Sequence, residues 1–266
     1  ERINLLVVVG DAFAKPLLRA LDAAPGRWEI ACLRLMVSSG TMFSLEVKQA
    51  LLRHLPALAI VDVLGSTEGG MAQSTVRAGT SAETAKFKLN PTTKVITEDG
   101  REVLPGSGEI GLVANGGMVP LGYYKDPERS ARTFREVNGV RYAFPGDMAT
   151  VEADGTITLL GRGSGCINTG GEKVFPEEVE EALKVHPAVE DTLVFGVPDE
   201  RFGQQVVGVV SLVPGTALAP EAILAATRGR LASFKLPKRL VVVAAVPRVP
   251  NGKPDYAAAK RLFEAS

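Results

Sequence analysis

"LGRGSGCINTGGEKVFPEE", residues 160–178, contains five glycines among small polar residues and ends at a proline followed by two acids. It fits neither the P-loop template G-x-x-x-x-G-K-[ST] nor the dinucleotide template G-x-G-x-x-G. A Gly-Ser-Gly run relaxes the limits on backbone angles, as a hinge between two domains requires. A tight turn without motion explains the same spacing equally well. The sequences on either side decide what this stretch connects.

Before this stretch, apolar runs alternate with helical patterns. The runs cover residues 5–10, 33–40 and 59–68, and helical patterns lie around 12–23 and 44–54. Continuous apolar strands with intervening helices predict βαβ units and a parallel sheet that is buried on both faces. Ligands of such sheets bind beyond the carboxyl ends of the strands. These ends are small or polar: Gly10–Asp11, Ser38–Gly40 and Gly65–Glu68.

The pattern changes twice along the chain. From about residue 86, short alternating segments separated by turn signals predict a meander that forms a small β-barrel or sandwich. After the glycine-rich stretch, a helix at 176–186 and further strands and helices predict a compact α+β unit. The fold class is therefore α/β plus α+β, with a partial parallel βαβ sheet, a small β-barrel and a separate α+β C-terminal domain. The predicted boundaries are 1–86, 87–161, a hinge at 162–165, and a mobile domain at 166–266.

Composition excludes several classes of protein. Thirty basic side chains offset thirty acidic ones, so no overall field attracts nucleic acid or an anionic membrane. Two cysteines and two histidines lack metal-ligand spacing, so a zinc site or disulfide framework is not expected. The apolar runs are too short for a membrane span, so we expect a cytoplasmic protein. A homo-oligomer is compatible with the sequence. The chain begins with Glu1 and not Met, which suggests a fragment or a processed product.

Four separated stretches resemble motifs of the adenylate-forming enzymes, the family of acyl-CoA synthetases, luciferases and peptide-synthetase adenylation domains. Four matches in the right order, covering nearly the whole chain, are specific where one would be weak. The wording of the third is most similar to actinobacterial fatty-acyl and sterol-side-chain CoA ligases. The stretches are VLGSTEGG (63–70), YAFPGDMATVEADGTITLLGRG (142–163), INTGGEKVFPEEVEEAL (167–183) and PRVPNGKPDYAAAK (247–260).

The resemblance implies an ATP-dependent acyl-CoA ligase that uses ATP, Mg²⁺, coenzyme A and a small carboxylic acid. Such an enzyme first joins the carboxylate to AMP and then lets the CoA thiol displace AMP. A cation must offset the repulsion between the carboxylate and the α-phosphate, and the resemblance assigns Lys253 to this role. Asn251-Gly252 is a turn former, which predicts that Lys253 lies on an exposed tight turn. Without the other motifs, a solvated lysine beside a turn would be the better interpretation.

The resemblance also assigns the other site residues. Thr67 would hold the α-phosphate and Glu68 would hold Mg²⁺, although a Thr-Glu pair after a strand is usually a helix cap. Asp147 would accept both ribose hydroxyls, and Arg162 would contact ribose or phosphate; a turn aspartate and a surface arginine are the simpler readings. The remaining nucleotide-binding and tunnel positions are Ser39, Gly40 and Gly65 at the adenine, Ser66 and Thr67 beside them, and Gly170 and Gly171 along the thiol tunnel.

The sequence departs from the family at three places. Ser164 occupies the hinge position where the family has Asp or Lys, and Leu64 stands where many members have an aromatic residue against adenine. The family's phosphate-gripping Ser/Thr/Gly-rich loop is expected before Glu1, because 79–86 does not match it. We therefore expect that this chain alone has little or no ligase activity. An acyl wall is expected from Gly69, Gly70, Met71 and 115–124.

Two alternative functions share these motifs. An adenylation domain that loads a carrier protein differs only in the thiol acceptor. A non-catalytic module that binds a nucleotide or CoA would keep the fold without the chemistry. The joint presence of Lys253, Asp147, Arg162 and Glu68 argues against such a module.

Overall fold

The computed structural model describes residues 2–80 and 84–266. Residue 1 and residues 81–83 of the predicted 1–86 domain lie outside the described residues. Residues 81–83 also belong to the segment 79–86, which was compared with the phosphate-binding loop. The chain divides into two compact units, the first ending at Leu160 and the second covering Gly161–Ser266. The predicted hinge at 162–165 lies just inside the second unit, and the four domain boundaries stay predictions. In the described part of the chain, no helix is long and apolar enough to span a membrane.

Three parallel strands and two helices open the first unit. Val7 aligns with Val37, and Val37 aligns with Val61, so the strands run in register. Apolar side chains of both helices and all three strands form one buried core. The prediction that the sheet is buried on both faces is wrong for β1 in this structure, since Leu5 and Val7 are 45% and 64% exposed. The elements are β1 (Leu5–Val8), α1 (Gly10–Ala23), β2 (Leu35–Ser39), α2 (Leu45–His54) and β3 (Ala59–Ser66).

The remaining strands of the first unit extend this sheet and do not form a separate one. They make one 11-stranded mixed sheet in the order β1-β2-β3-β4-β5-β11-β10-β7-β9-β8, with β6 paired to β7. The elements are β4 (Gly69–Val76), β5 (Lys86–Leu89), β6 (Thr93–Ile96), β7 (Gly111–Asn115), α3 (Pro127–Thr133), β8 (Phe134–Val137), β9 (Val140–Ala143), β10 (Asp147–Val151) and β11 (Ile157–Arg162).

The predicted parallel sheet and the predicted barrel region have separate apolar cores, but their strands are hydrogen-bonded into one sheet, and the division into two subdomains stays a prediction. The connecting strand is β4, which pairs antiparallel with both β3 and β5 and joins the two regions. Its sequence, GGMAQSTV, starts with two glycines and carries polar residues in the middle, so it lacks the apolar pattern by which a strand is predicted.

The second unit has its own five-stranded sheet and three α-helices. The sheet runs β13-β12-β15-β14 with antiparallel pairs, and β16 adds parallel to β15. This agrees with the predicted α+β pattern. The elements are β12 (Ile167–Thr169), β13 (Glu172–Val174), α4 (Pro176–Lys184), β14 (Val189–Asp199), β15 (Gly203–Leu212), α5 (Pro220–Thr227), β16 (Arg239–Val242) and α6 (Tyr256–Glu264), with short 3₁₀ turns at Gly163–Gly165 and Ser233–Lys235.

Helix α4 follows its sequence signals closely. Pro176 is in the first turn, where its missing N–H has no cost, and Glu177 and Glu178 lie at the positive end of the helix dipole. Val179 and Leu183 are fully buried against the sheet. Helix α5 is shorter than the predicted 220–232, because the chain turns at Gly229 with a left-handed φ of +89°.

Candidate functional site

Thr67 and Glu68 form the two-residue turn between β3 and β4. Ser66 pairs with Gly69 across this turn, so the Thr-Glu pair is a hairpin turn and not a helix cap. Gly69 has φ +143°, and a Cβ there would collide with the side-chain amide of the buried Asn115. The turn is thus fixed against β7 by a close approach that only glycine allows. Thr67 is exposed, whereas Glu68 is buried.

The carboxylate of Glu68 is held in its ionised form. The Tyr123 hydroxyl donates a hydrogen bond to Glu68 Oε1, and the Arg129 guanidinium stacks 4.0 Å from the Tyr123 ring centre. Burial by itself would raise the pKa of Glu68, but hydrogen bonds from Ser66 and Tyr123 and the charge of Arg129 outweigh it and lower the pKa. Tyr123 was not predicted as a site residue, although it belongs to the 115–124 segment.

The small residues predicted to contact adenine lie at one edge of the sheet. Ser39 aligns with Val63 in the parallel β2–β3 pair, so Ser39 and Gly40 end β2 at the same edge where Gly65 ends β3. Leu64, by contrast, is buried in the core of the first unit. This edge is the carboxyl end of the parallel strands, where ligands of α/β sheets bind.

Asp147 is buried and begins β10 directly after Gly146, whose φ of +100° favours glycine. Strand β10 runs antiparallel to β7, with Met148 opposite Leu112. The start of β10 therefore lies at the end of β7 that carries Asn115. Because Asn115 also contacts Gly69, the structure brings Asp147 and the Thr67-Glu68 turn to the same end of β7.

The predicted acyl wall needs a correction. Met71 is fully buried in the core of the first unit, so its side chain does not line an open surface there. Met118, Leu121 and Tyr124 of the 115–124 segment are instead exposed, with exposed fractions of 102%, 96% and 88%. A strand alternates its side chains between two faces, and this alternation in the missed strand β4 turns Met71 inward.

In the second unit, Lys253 lies on an exposed tight turn. The Gly252 amide donates to the Val249 carbonyl (2.8 Å), and the Val249 amide donates to the Lys253 carbonyl (3.0 Å). The Lys253 amide donates to Asn251 Oδ1 (3.1 Å), and Gly252 has φ +82°. The Asn-Gly signal therefore produces the turn for which it is typical. The ammonium group of Lys253 is in solvent.

Gly170 and Gly171 form the two-residue turn of the β12–β13 hairpin, with Thr169 paired to Glu172. Both have positive φ, +60° and +89°, as a type I′ turn requires. The Gly170 amide donates to the Phe202 carbonyl (2.9 Å), and a Cβ on Gly170 would lie 3.1 Å from the Phe202 ring. Arg162, also predicted, is exposed at the end of β11, next to the 3₁₀ turn Gly163–Gly165.

The residues present fit a single magnesium ion held largely by substrate. Within residues 2–80 and 84–266, no group of three or more His, Cys, Asp or Glu side chains is arranged to hold a metal ion. Glu68 offers one ionised carboxylate at the sheet edge. Mg²⁺ in phosphate-transfer sites is commonly bound by one or two carboxylates together with phosphate oxygens and water. Such a site needs no larger acidic cluster.

Comparison with known proteins identifies part of the second unit. Residues 178–253 match the family model of the AMP-binding enzyme C-terminal domain, and the match ends at Lys253. The matched residues include most of α4, strands β14–β16 and the turn that ends at Lys253, so the similarity covers the turn that the fourth motif predicts.

Relatives align with the whole chain. A medium/long-chain-fatty-acid--CoA/3-oxocholest-4-en-26-oate--CoA ligase of Mycobacterium tuberculosis is 47% identical over 100% of this chain and 48% of its own length. A 3-oxocholest-4-en-26-oate--CoA ligase of Rhodococcus rhodochrous is 45% identical over 98% of this chain and 48% of its own length. The chain spans about half the length of these relatives.

The fold agrees with a solved ligase. The anthranilate CoA ligase AuaEII, in complex with anthranoyl-AMP, superposes with a TM-score of 0.81 at 24% identity, covering 98% of this chain and 49% of that one. At this identity the likeness concerns the fold alone. The mixed α/β architecture, with a large mixed sheet and a second, mostly antiparallel sheet, is therefore shared with that structure.

The predicted site residues fall into two groups, one in each unit. The first unit contains Ser39, Gly40, Gly65, Ser66, Thr67, Glu68 and Asp147; the second contains Arg162, Gly170, Gly171 and Lys253. Sequence analysis missed the residues that hold these positions, namely Tyr123, Asn115 and Phe202. Each contacts a residue that is far away in the chain, so no local pattern indicates the contact.

Proposed function

We propose that this chain is the C-terminal half of an ATP-dependent acyl-CoA ligase that activates fatty acids or sterol side-chain carboxylates. Identity of 45–47% over at least 98% of the chain to two ligases of that description is the observation that carries the proposal. The four motifs and the exposed Lys253 turn support it. The carboxylic acid, ATP and CoA are then its small-molecule partners.

In the first reaction, a carboxylate oxygen attacks the α-phosphorus of ATP and pyrophosphate leaves, forming an acyl adenylate. Two anions must approach each other, and the Lys253 ammonium offsets their repulsion. Thr67 donates its hydroxyl to the α-phosphate, while Asp147 accepts the ribose hydroxyls through its two oxygens. Small residues at Ser39, Gly40 and Gly65 leave room for the adenine, and Arg162 contacts ribose or phosphate.

Glu68 would hold Mg²⁺ through its carboxylate, and the bound ion would neutralise charge on the phosphate oxygens. Tyr123 supports this role because its hydrogen bond keeps Glu68 ionised and oriented. An anionic carboxylate is the form that a hard cation prefers.

In the second reaction, the CoA thiolate sulfur attacks the acyl carbonyl carbon, and AMP leaves with the electrons of the broken C–O bond. Gly170 and Gly171 would form the tunnel wall, where the absence of side chains lets pantetheine pass close to the backbone. The family's C-terminal domain rotates between the two reactions, and the residues 162–165 would be its hinge. The lysine is thereby withdrawn before the thiol enters.

The test uses the complete ligase, with the half that precedes this chain in the relatives. Acyl-dependent pyrophosphate release and CoA thioester formation are measured separately on fatty acids and on a sterol side-chain acid. Lys253→Ala should lower pyrophosphate release about 100-fold or more, whereas thioester formation from supplied acyl adenylate should persist. Lys260→Ala, an exposed lysine on α6, is the matched control.

Each alternative has a different outcome. A carrier-loading adenylation domain would release pyrophosphate but form no thioester with free CoA, and a non-catalytic module would bind nucleotide and do neither. Full adenylation by Lys253→Ala would overturn the proposed role of the lysine. The 266-residue chain alone should be inactive, and robust thioester formation by it would contradict that expectation.

A further inference from the structure

A part-buried ion pair lies next to the Lys253 turn. Arg248 Nε donates to Asp191 Oδ2 (2.7 Å) and Arg248 Nη2 donates to Asp191 Oδ1 (2.8 Å), a two-pronged contact between planar groups. The third nitrogen, Nη1, donates to the carbonyl of Gly252 (3.0 Å). One guanidinium thus connects the start of β14 to the turn.

The Gly252 carbonyl is the atom best suited to orient Lys253. It belongs to the same planar peptide unit as the Lys253 amide, so fixing the carbonyl fixes the plane from which the lysine side chain departs. The amide side of this unit is held by Asn251 Oδ1 (3.1 Å). Asn251 and Arg248 therefore hold the N–H and the C=O of one peptide, and Arg248 connects that peptide to Asp191 on β14.

Asp191 is itself fixed. Its Oδ1 accepts the Thr192 amide (2.9 Å), and the Lys184 ammonium of α4 lies 3.8 Å away. Burial alone would raise the pKa of Asp191, but the Arg248 hydrogen bonds and the Lys184 charge prevail and lower it. The carboxylate is ionised wherever the ligase would work, so the pair is a permanent one.

Stability does not explain this arrangement well. A part-buried ion pair loses hydration on both partners while solvent screens its attraction, so its net contribution to stability is often small. What it provides is a defined geometry, because the fork of the guanidinium accepts few alternative positions. This defined geometry fixes the turn that carries the Lys253 ammonium group.

We propose that Asp191 and Arg248 are positioning residues for adenylate formation. They hold the Gly252–Lys253 peptide so that the lysine ammonium reaches the same point in every cycle. This inference rests on the proposed function, since it needs Lys253 to act in the first reaction. Neither residue is required by the thiol step, for which the lysine is withdrawn.

Arg248→Met and Asp191→Asn in the complete ligase provide the test. Adenylation should fall between about tenfold and about 100-fold, because small displacements of a reacting group have effects of this size. Thioester formation from supplied acyl adenylate should be nearly unchanged. Arg248→Lys, which keeps the charge but loses the fork, should recover part of the first rate.

Lys235→Met is the matched control. It removes the Lys235–Glu178 ion pair (2.7 Å), which belongs to the same unit but not to the turn. The variant should lose stability without changing the ratio of the two half-reaction rates. Equal loss of both half-reactions in Arg248→Met, or no loss of adenylation, would overturn the proposal.

A second readout separates this inference from the proposed function. Hydrogen exchange of the Lys253 amide, which belongs to the peptide held by Arg248, can be followed in the 266-residue chain without any substrate. Faster exchange in Arg248→Met but not in Lys235→Met would support the proposal that Asp191 and Arg248 hold the turn. This result would stand even if the complete protein released no pyrophosphate, which would refute the proposed ligase function instead. Unchanged exchange in Arg248→Met would refute the positioning role.

Discussion

The Tyr123 hydroxyl donates a hydrogen bond to Glu68, a residue 55 positions away in the chain. Tyr123→Phe should raise the pKa of Glu68, since it removes one of the interactions that favour the carboxylate. The ring contact with Phe134 (5.4 Å) is retained in the variant, so packing changes little. In the complete ligase, adenylation should then need about tenfold more Mg²⁺, the loss expected for a hydrogen bond to a charged group.

Two measurements check this. NMR titration of the Glu68 carboxyl in the 266-residue chain gives the pKa, and a magnesium titration of pyrophosphate release gives the requirement for the ion. Tyr124→Phe, which changes an exposed neighbour, is the control. An unchanged Glu68 pKa would show that the hydrogen bond has no electrostatic effect.

Gly69 and Gly70 should respond differently to the same substitution. Gly69→Ala should cost about 1–3 kcal/mol, because φ is +143° and the new methyl group meets the Asn115 amide. Gly70→Ala has a free space, with Asn90 Nδ2 at 3.8 Å, and should change the stability by less than about 1 kcal/mol. Urea unfolding followed by Trp28 fluorescence measures the first unit. Equal effects would mean that the turn relaxes without strain.

Sequence patterns predict elements that are long and periodic. The continuous apolar runs of β1–β3 predict the parallel sheet correctly, although Leu5 and Val7 of β1 are exposed and not buried, and the two acids after Pro176 indicate the start of α4. Helix α3 was missed although Asp126 caps it and Pro127 starts it, because seven residues are too few to show a helical period. Strand β4 was missed because its turn, Thr67-Glu68, contains no residue typical of a hairpin.

Site residues could be predicted where they belong to a local motif, but the residues that hold them in place could not. The four consecutive residues 250–253, which include Asn251-Gly252, indicate the Lys253 turn. The contact of Arg248 with Asp191 joins residues 57 positions apart and depends on the packing of β14 against the turn. Charge and composition do not choose among thirty acidic partners.

Glu180 should make the stability of the second unit depend on pH. Burial raises its pKa to about 7, only partly opposed by Lys184 and by the Val194 amide, while Glu177 and Asp191 add to the increase. A raised folded-state pKa means that the folded state prefers the protonated acid. The stability that Glu180 contributes is fully present below about pH 4.5. It is lost as the pH rises through about 7, by an amount on the order of 3 kcal/mol.

Glu180→Gln tests this, because glutamine is neutral and can still accept from Val194. The variant should be more stable than the wild type at pH 8, and the difference should shrink toward pH 5. Hydrogen exchange of the β14 and β15 amides isolates the second unit from the first. A pH profile that Glu180→Gln leaves unchanged would assign the titration to another group.

Ser164→Pro should separate the two half-reactions of the complete ligase. Ser164 is exposed within the 3₁₀ turn Gly163–Gly165. The φ typical of a 3₁₀ turn, about −50 to −70°, is close to the value that proline imposes, so the conformation should be kept. Proline removes the freedom to leave that conformation. If domain rotation at 162–165 follows adenylation, adenylate formation should continue and thioester formation should fall to near background.

Ser164→Ala is the control for Ser164→Pro, because it removes the hydroxyl and leaves the backbone free. It should retain both half-reactions. Equal loss of both in the proline variant would refute the hinge, since a fixed hinge blocks only what comes after rotation. Retention of both would mean that rotation occurs at another position, and Gly161, whose φ of +134° is closed to other residues, would be the next site to test.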